Sequence, residues 1–375
     1  MNSRAQIPSI AGIMTSAEVA QTASAIAAVQ EPCGAVPWAI GEHTDIWNHV
    51  EAAMAMLVGG EVHAAERAYA WATTMQRSDG SWPMKIIGGE VIDDRAEVNM
   101  SAYLAVGVWH HWLIRQDRTF VEQLWPAVRA GLDWVVSQQL AFGGINWTPT
   151  ESFALLAGSS SIYQSLRAGL AIANVLDQPQ PEWELAGGRL GHAIREHPSC
   201  FADKSTFSMD WYYPILGGAV RGQRARDLLA SRWEDFVVDG LGIRCVDTNP
   251  WVTGAETCEL VMALDAIGDH ERALTLLADM QHLRDEHGRY WTGWVFGEEP
   301  THNQYWPVEH TTYTAAAVIL AVDALGASSG QCTAASGIMR GDDLGQSLSE
   351  LALECGCPSL DPIPSLSGRP REQAQ

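Results

Sequence analysis

A short joint recurs four times along this chain. A glutamine closes a helical stretch, a glycine follows, and a tryptophan comes next. It reads Gln30…Gly34…Trp38, Gln76…Gly80…Trp82, Gln139…Gly143…Trp147 and Gln281…Gly288…Trp291. Self-similarity with a period of tens of residues marks one supersecondary unit stacked many times. The glycine ends a helix, and the tryptophan is expected to pack over the neighbouring unit. Between the joints the helical apolar period dominates and strand-like alternation is almost absent. An all-α fold is therefore expected.

Helices are expected at about 15–30, 45–57, 61–76, 97–114, 119–139, 159–176, 181–197, from 210 onward, 224–236, 255–267, 270–283 and after residue 309. Twelve helices in strict succession make six hairpins. The even-numbered helices are rich in Ala, Gly, Leu and Val, as buried helices are. The odd-numbered ones carry most of the Arg, Glu and Asp and suit an outer layer. Asp45, Glu97, Ser159, Asp210, Glu256 and Glu309 open the even helices at intervals of roughly 46–62 residues, the period of stacked helical pairs. Six such pairs can close into an (α/α)6 toroid spanning residues 1–326. Residues 327–375 are rich in Ser, Gly and Pro and are expected to form a disordered tail, with one short helix at about 342–354.

The 375 residues are 47% apolar and 18% charged, which is ample for a large core. The formal charge is 23 − 45 = −22, which argues against nucleic acid and anionic membranes as partners. Seven cysteines lack metal-like spacing except Cys355 and Cys357 in the tail. That pattern suggests reduced thiols and a cytoplasmic setting. The first twenty residues lack the basic start and apolar run of a signal peptide. No continuous apolar run of about 18 residues appears, so no membrane span is expected.

In a ring of hairpins, the loops entering the inner helices converge at one end of the axis. The first loop offers Glu42, His43 and Asp45. The second offers Asp93, Asp94, Arg95, Glu97 and Asn99. The third has Trp147, Glu151 and Ser159–Ser161, and the fourth Asp210, Trp211, Tyr212 and Tyr213. The fifth carries Asp247, Trp251 and Glu256. The sixth carries Trp291, Trp294, Glu298, Glu299, Trp306, Glu309 and His310. Carboxylates accept hydroxyl protons and aromatic faces stack on C–H surfaces, so the mixture suits a neutral, polyhydroxylated ligand. No cofactor is expected.

The paired helices with these joints resemble the toroid shared by terpenoid cyclases, protein prenyltransferase β subunits and six-hairpin glycosidases, over about residues 15–326. Two narrower resemblances compete. Glu256-Thr-Cys258 and His310-Thr-Thr-Tyr313 resemble the zinc-ligand motifs of protein prenyltransferases, and would imply an isoprenoid enzyme. The other resemblance is to glucoamylase-like glycosidases. Asp45 matches their sugar-binding aspartate, and Trp147-Thr-Pro-Thr-Glu151 followed by Ser159–Ser161 resembles their general-acid loop. Glu309 is the counterpart of their general base.

The preferred expectation is a glycoside hydrolase acting on a saccharide or glycoconjugate, with Glu309 as base and Glu151 or Asp94 as acid. His43, Asp45, Asn99, Asp210, Glu256 and His310 would hold the substrate, and Trp147, Trp251, Trp291 and Trp306 would wall the pocket.

Overall fold

The computed structural model describes residues 6–299 and 302–338. The chain is mainly α-helical. Its helices are α1 (Ser16–Val29), α2 (Ile46–Val58), α3 (Val62–Met75), α4 (Val98–Ala102), α5 (Leu104–Arg115), α6 (Arg118–Ser137), α7 (Leu156–Val175), α8 (Pro181–Glu196), α9 (Ser208–Leu216), α10 (Gly222–Phe236), α11 (Gly254–Ala266), α12 (His270–Asp279) and α13 (Thr312–Gly326). They follow the twelve expected from the apolar period, with the fourth broken at Tyr103 into α4 and α5.

Packing follows the compositional alternation. Helix α2 lies against α5, α5 against α7, α7 against α9, α9 against α11, α11 against α13, and α13 against α2. The polar helices back this circuit: α1 on α2 and α13, α3 on α2, α6 on α5, α8 on α7, α10 on α9, and α12 on α11. Every residue of α13 is buried. Its mean hydropathy over Thr312–Ser329 is 1.3, enough for a membrane span by composition, yet 83% of that window is covered by the protein itself. An all-round apolar helix has found its apolar surroundings among its neighbours.

The glutamine joints show why their sequence repeats. Gln76 donates from Nε2 to the Gly80 carbonyl at 2.9 Å and to the Ala127 carbonyl of α6 at 2.9 Å. Gln30 does the same to Gly34 and Ala64, and Gln139 to Gly143 and Ala186. One side-chain amide thus closes the turn and ties it to the next outer helix. Gly80 sits at φ +97°, and a Cβ there would stand 2.2 Å from the Ala130 carbonyl oxygen. The glycine is demanded both by the left-handed backbone and by the close approach.

The entry loops are laced to one another in order. Thr44 pairs with Ile86, Val98 N donates to the Trp147 carbonyl at 2.9 Å, and Ala202 N to the Ala154 carbonyl at 2.9 Å. Ser208 N reaches the Cys245 carbonyl at 2.9 Å, and Thr312 N returns to the Trp38 carbonyl at 2.9 Å. The fifth and sixth loops share a sheet. All six therefore meet at one end, the mouth.

That sheet and one further hairpin form although strand-like alternation is almost absent from the sequence. Strands β1 (Lys85–Ile87) and β2 (Glu90–Asp93) form a hairpin in the second loop. Strands β3 (Val237–Val238), β4 (Gly242–Arg244), β5 (Trp251–Thr253), β6 (Gly293–Val295) and β7 (Gln304–Tyr305) form an antiparallel sheet in that order. Each has two to four residues, too few for an alternating pattern to declare itself.

At the opposite end the fold extends past residue 326. Thr333 donates through its backbone N–H and its hydroxyl to Asp323, both at 2.6 Å, and Ala335 and Ile338 are buried. The expected helix at 342–354 and the cysteines Cys355 and Cys357 lie outside the described residues.

Candidate active site

Glu309 stands at the seam between the first and last entry loops. Its Oε1 accepts the indole N–H of Trp38 at 3.0 Å and the Thr292 hydroxyl at 3.2 Å. Both donors engage the same oxygen, which orients the carboxyl group while the side chain stays partly exposed. His43 lies parallel to Trp38, ring centroids 6.1 Å apart. Burial lowers the His43 proton affinity, while Asp45 and Glu309 oppose that shift.

Asp45 caps α2. Its Oδ1 accepts from Asn48 N at 2.9 Å, and its Oδ2 takes the Asn48 amide at 2.5 Å and lies 3.7 Å from His43 Nε2. Glu97 caps α4 in the same manner, accepting from Met100 N at 2.6 Å. Burial lifts the Glu97 pKa to about 8, and the charge of Asp45 adds to the rise. An N-cap usually favours an anion; here desolvation exceeds that benefit.

Buried among the inner helices lies a group that sequence reasoning missed. Glu259, on α11 one turn beyond Glu256, accepts the hydroxyls of Tyr212, Tyr213 (2.6 Å) and Tyr313 (2.7 Å). Its pKa is raised to about 7, burial outweighing the three donors. Glu51, on α2, accepts from Tyr103 at 2.9 Å and is held well above the usual carboxylate range by burial and by Glu259. Asp45 also acts on Glu51, and Glu256 on Glu259. Carboxylates from α2, α4 and α11 are thus close enough to raise one another's proton affinity. The available signal was an acid inside an otherwise apolar inner helix, because an unneutralised buried charge is very costly.

Asp210, on the first turn of α9, accepts from Ala157 N at the start of α7 at 3.1 Å. Burial raises its pKa to about 6, and that hydrogen bond and Lys204 pull the other way. Unlike Glu51, Glu97 and Glu259, it remains partly exposed. Asn99 is buried with no hydrogen-bond partner at its Oδ1. Trp147 stacks on Phe153, and Glu151 sits in the adjacent turn, partly buried. Trp251 donates to the Trp306 carbonyl at 2.7 Å and meets the Trp306 ring edge-on. Trp291 lies between Tyr305 and His310.

One group stands apart from this assembly. Asp94 is 86% exposed and pairs with Arg77, facing water. His310 turns its Nε2 to Asp285, 3.3 Å away, whereas Cys258 is sealed in the core. Among the described residues no three His, Cys, Asp or Glu side chains converge as a metal-binding group does. Glu256, Cys258 and His310 therefore do not fit a shared zinc ion.

No family model matches the chain. The MMP endo-(1,4)-3-O-methyl-alpha-D-mannosidase of Mycolicibacterium hassiacum is 53% identical over 355 residues, covering 94% of this chain and 96% of that one. Among solved structures, a wild-type glycosidase superposes with a TM-score of 0.63 at 14% identity, covering 88% of this chain and 98% of its own. The GH63 mannosylglycerate hydrolase from Thermus thermophilus gives 0.62 at 14%, covering 80% and 99%. The solved structures speak to the fold, and the relative at 53% identity to the family: this chain is a glycoside hydrolase and belongs with the endo-mannosidase of M. hassiacum.

Proposed function

We propose that the protein hydrolyses internal (1,4) bonds in chains of 3-O-methyl-α-D-mannose, using carboxyl groups gathered at the mouth of an (α/α)6 toroid. The toroid reading is supported by the closed order of helix contacts and by the loop-to-loop hydrogen bonds that return from Thr312 to Trp38. The substrate is carried over from the relative's name, on 53% identity across nearly the whole of both chains. The free thiols of Cys33, Cys200, Cys245, Cys258 and Cys332 suit a cytoplasmic setting.

Hydrolysis needs one group to give a proton to the departing glycosidic oxygen and another to take one from water. Glu309 serves as the base. Trp38 and Thr292 fix one of its oxygens and leave the other to receive the water proton as the hydroxyl bonds to the anomeric carbon. Asp210 serves as the acid, in place of the expected Glu151 or Asp94. It combines a raised pKa of about 6 with partial exposure, whereas Asp94 pairs with a guanidinium in open water. Asp45, Glu256 and His43 accept or donate to sugar hydroxyls.

The observation that carries this reading is the double hydrogen bond on Glu309 Oε1 at the loop seam. General acid and base groups each contribute about 10²–10⁴-fold. Glu309→Gln and Asp210→Asn should therefore each slow cleavage of a 3-O-methylated (1,4)-mannoside oligomer at least about 100-fold. Retention of activity within a few-fold in Glu309→Gln would remove the base assignment. Inversion at the anomeric carbon, read by NMR of the first product, is expected if the two carboxyls stand about 6.5–9.5 Å apart; retention would indicate about 5–5.5 Å.

A further inference from the structure

Eight large apolar side chains are exposed among the described residues, and six of them sit on the loops of the mouth. Ile40 (79% exposed) is in the first loop, Ile87, Val91 and Ile92 are on the β1–β2 hairpin, and Trp306 and Val308 (81%) lie in the sixth loop. Chance would scatter such residues over the whole surface, and singly exposed ones need no explanation. Their collection on the loops that also carry the carboxyl groups does. The loops are also continuous with the catalytic seam. Thr44 pairs with Ile86 of the hairpin, the Thr312 hydroxyl binds the Pro37 carbonyl at 2.8 Å, and Val308 directly precedes Glu309. A cleft of about 230 Å³ between α1 and the start of α13 is rimmed by Ile40 and Val308 and reaches Glu309.

A polar rim would suit an ordinary mannan, whose sugar edges carry hydroxyls. A methyl ether replaces a hydroxyl hydrogen by an apolar group and removes a donor, so it gains from apolar contact and leaves no donor unsatisfied there. We propose that this apolar rim is the specificity element of the enzyme: it receives the 3-O-methyl groups of sugar units flanking the cleaved bond. The inference rests on the proposed hydrolysis of (1,4)-mannosides. Ile40 and Val308 are the principal contacts, on one side of the scissile bond, and the exposed end of the β1–β2 hairpin receives units further along the chain.

Each methyl group withdrawn from water is worth about 0.8 kcal/mol, about fourfold in affinity. Two methyls lost from contact correspond to about 15-fold. The test compares kcat/KM for a 3-O-methylated α-(1,4)-mannoside oligomer with that for its unmethylated counterpart, in wild type and in the double variant Ile40→Asn, Val308→Ser. Both positions are exposed, so the variant should fold, and its melting temperature verifies that. Wild type should favour the methylated oligomer about 15-fold or more, and the double variant should bring the ratio close to one. If the ratio is unchanged while both oligomers are still cleaved, the rim assignment is overturned and the hydrolase reading stands. If light scattering instead shows the variant losing a dimer with the ratio unchanged, the patch is a self-association surface and the inference is equally overturned. If wild type cleaves neither oligomer, the proposed function itself fails and this inference fails with it.

Discussion

The indole N–H of Trp38 meets Oε1 of Glu309 at 3.0 Å, across 271 positions of sequence. It joins the first entry loop to the last. Trp38 comes from the repeated glutamine joint and Glu309 from the loop before α13, so the contact unites the architectural motif with the chemistry. Hydrogen bonds to charged groups contribute about 1.5–3 kcal/mol. Trp38→Phe should therefore lower kcat about 10–100-fold with a smaller change in KM, as steady-state kinetics would show. A fall confined to KM would mean that Trp38 only binds sugar.

Asp210 must carry a proton to act as an acid. With a free-enzyme pKa of about 6, kcat/KM should decline about tenfold per pH unit above that value. Asp210→Glu should move this alkaline limb or flatten it, while Glu151→Gln should leave its position alone. An alkaline limb that ignores Asp210→Glu would assign the acid elsewhere.

Glu259 titrates at about 7 in the folded protein, against about 4.5 for an exposed glutamate. Because the folded pKa is raised, protonation favours the fold. The stabilising contribution is complete below about pH 4.5 and is lost as pH rises through about 7. Glu259→Gln removes that loss, so its stability relative to wild type should improve between pH 5 and pH 9. The size is on the order of 3 kcal/mol, readable from urea denaturation at the two pH values. A constant difference would place the strain in another buried acid, such as Glu51 or Glu97.

Gly80 tests the joint itself. Alanine there meets both an unfavourable left-handed backbone and the Ala130 carbonyl oxygen at 2.2 Å. Gly80→Ala should cost several kcal/mol, beyond the roughly 1–2 kcal/mol of a left-handed residue alone. A lowered melting temperature with residual kcat largely preserved is the expected pattern, because Gly80 lies on the outer side of the second loop.

Much of the architecture was legible along the chain. Three of the Gln–Gly–Trp joints recur because a glutamine amide must reach two carbonyls at once, a local requirement that writes itself into sequence; Gln281 instead turns back to the Leu277 carbonyl of α12. The apolar inner helices are legible for a related reason, since burial on all sides leaves no polar stripe. The short strands β3–β7 were not legible, because two or three residues cannot display a period and the partners Trp251 and Val295 lie 44 residues apart. Asp45, Glu97, Asp210, Glu256 and Glu309 could be named as the residues opening inner helices, and the structure places them all on the mouth side. Asp94 was equally acidic in sequence, yet Arg77 draws it out to solvent.

By itself, then, the sequence determined the succession of helices over the described residues, apart from the break at Tyr103, and which of them are buried, since these depend on contacts within or between adjacent segments. Only the tertiary structure decided which acids hold a proton. Glu51 and Glu259 lie 208 residues apart; loss of water raises the proton affinity of both, Glu259 raises that of Glu51 further, and Glu256 adds to that of Glu259. Desolvation and charge act through space, and no reading along the chain contains those distances.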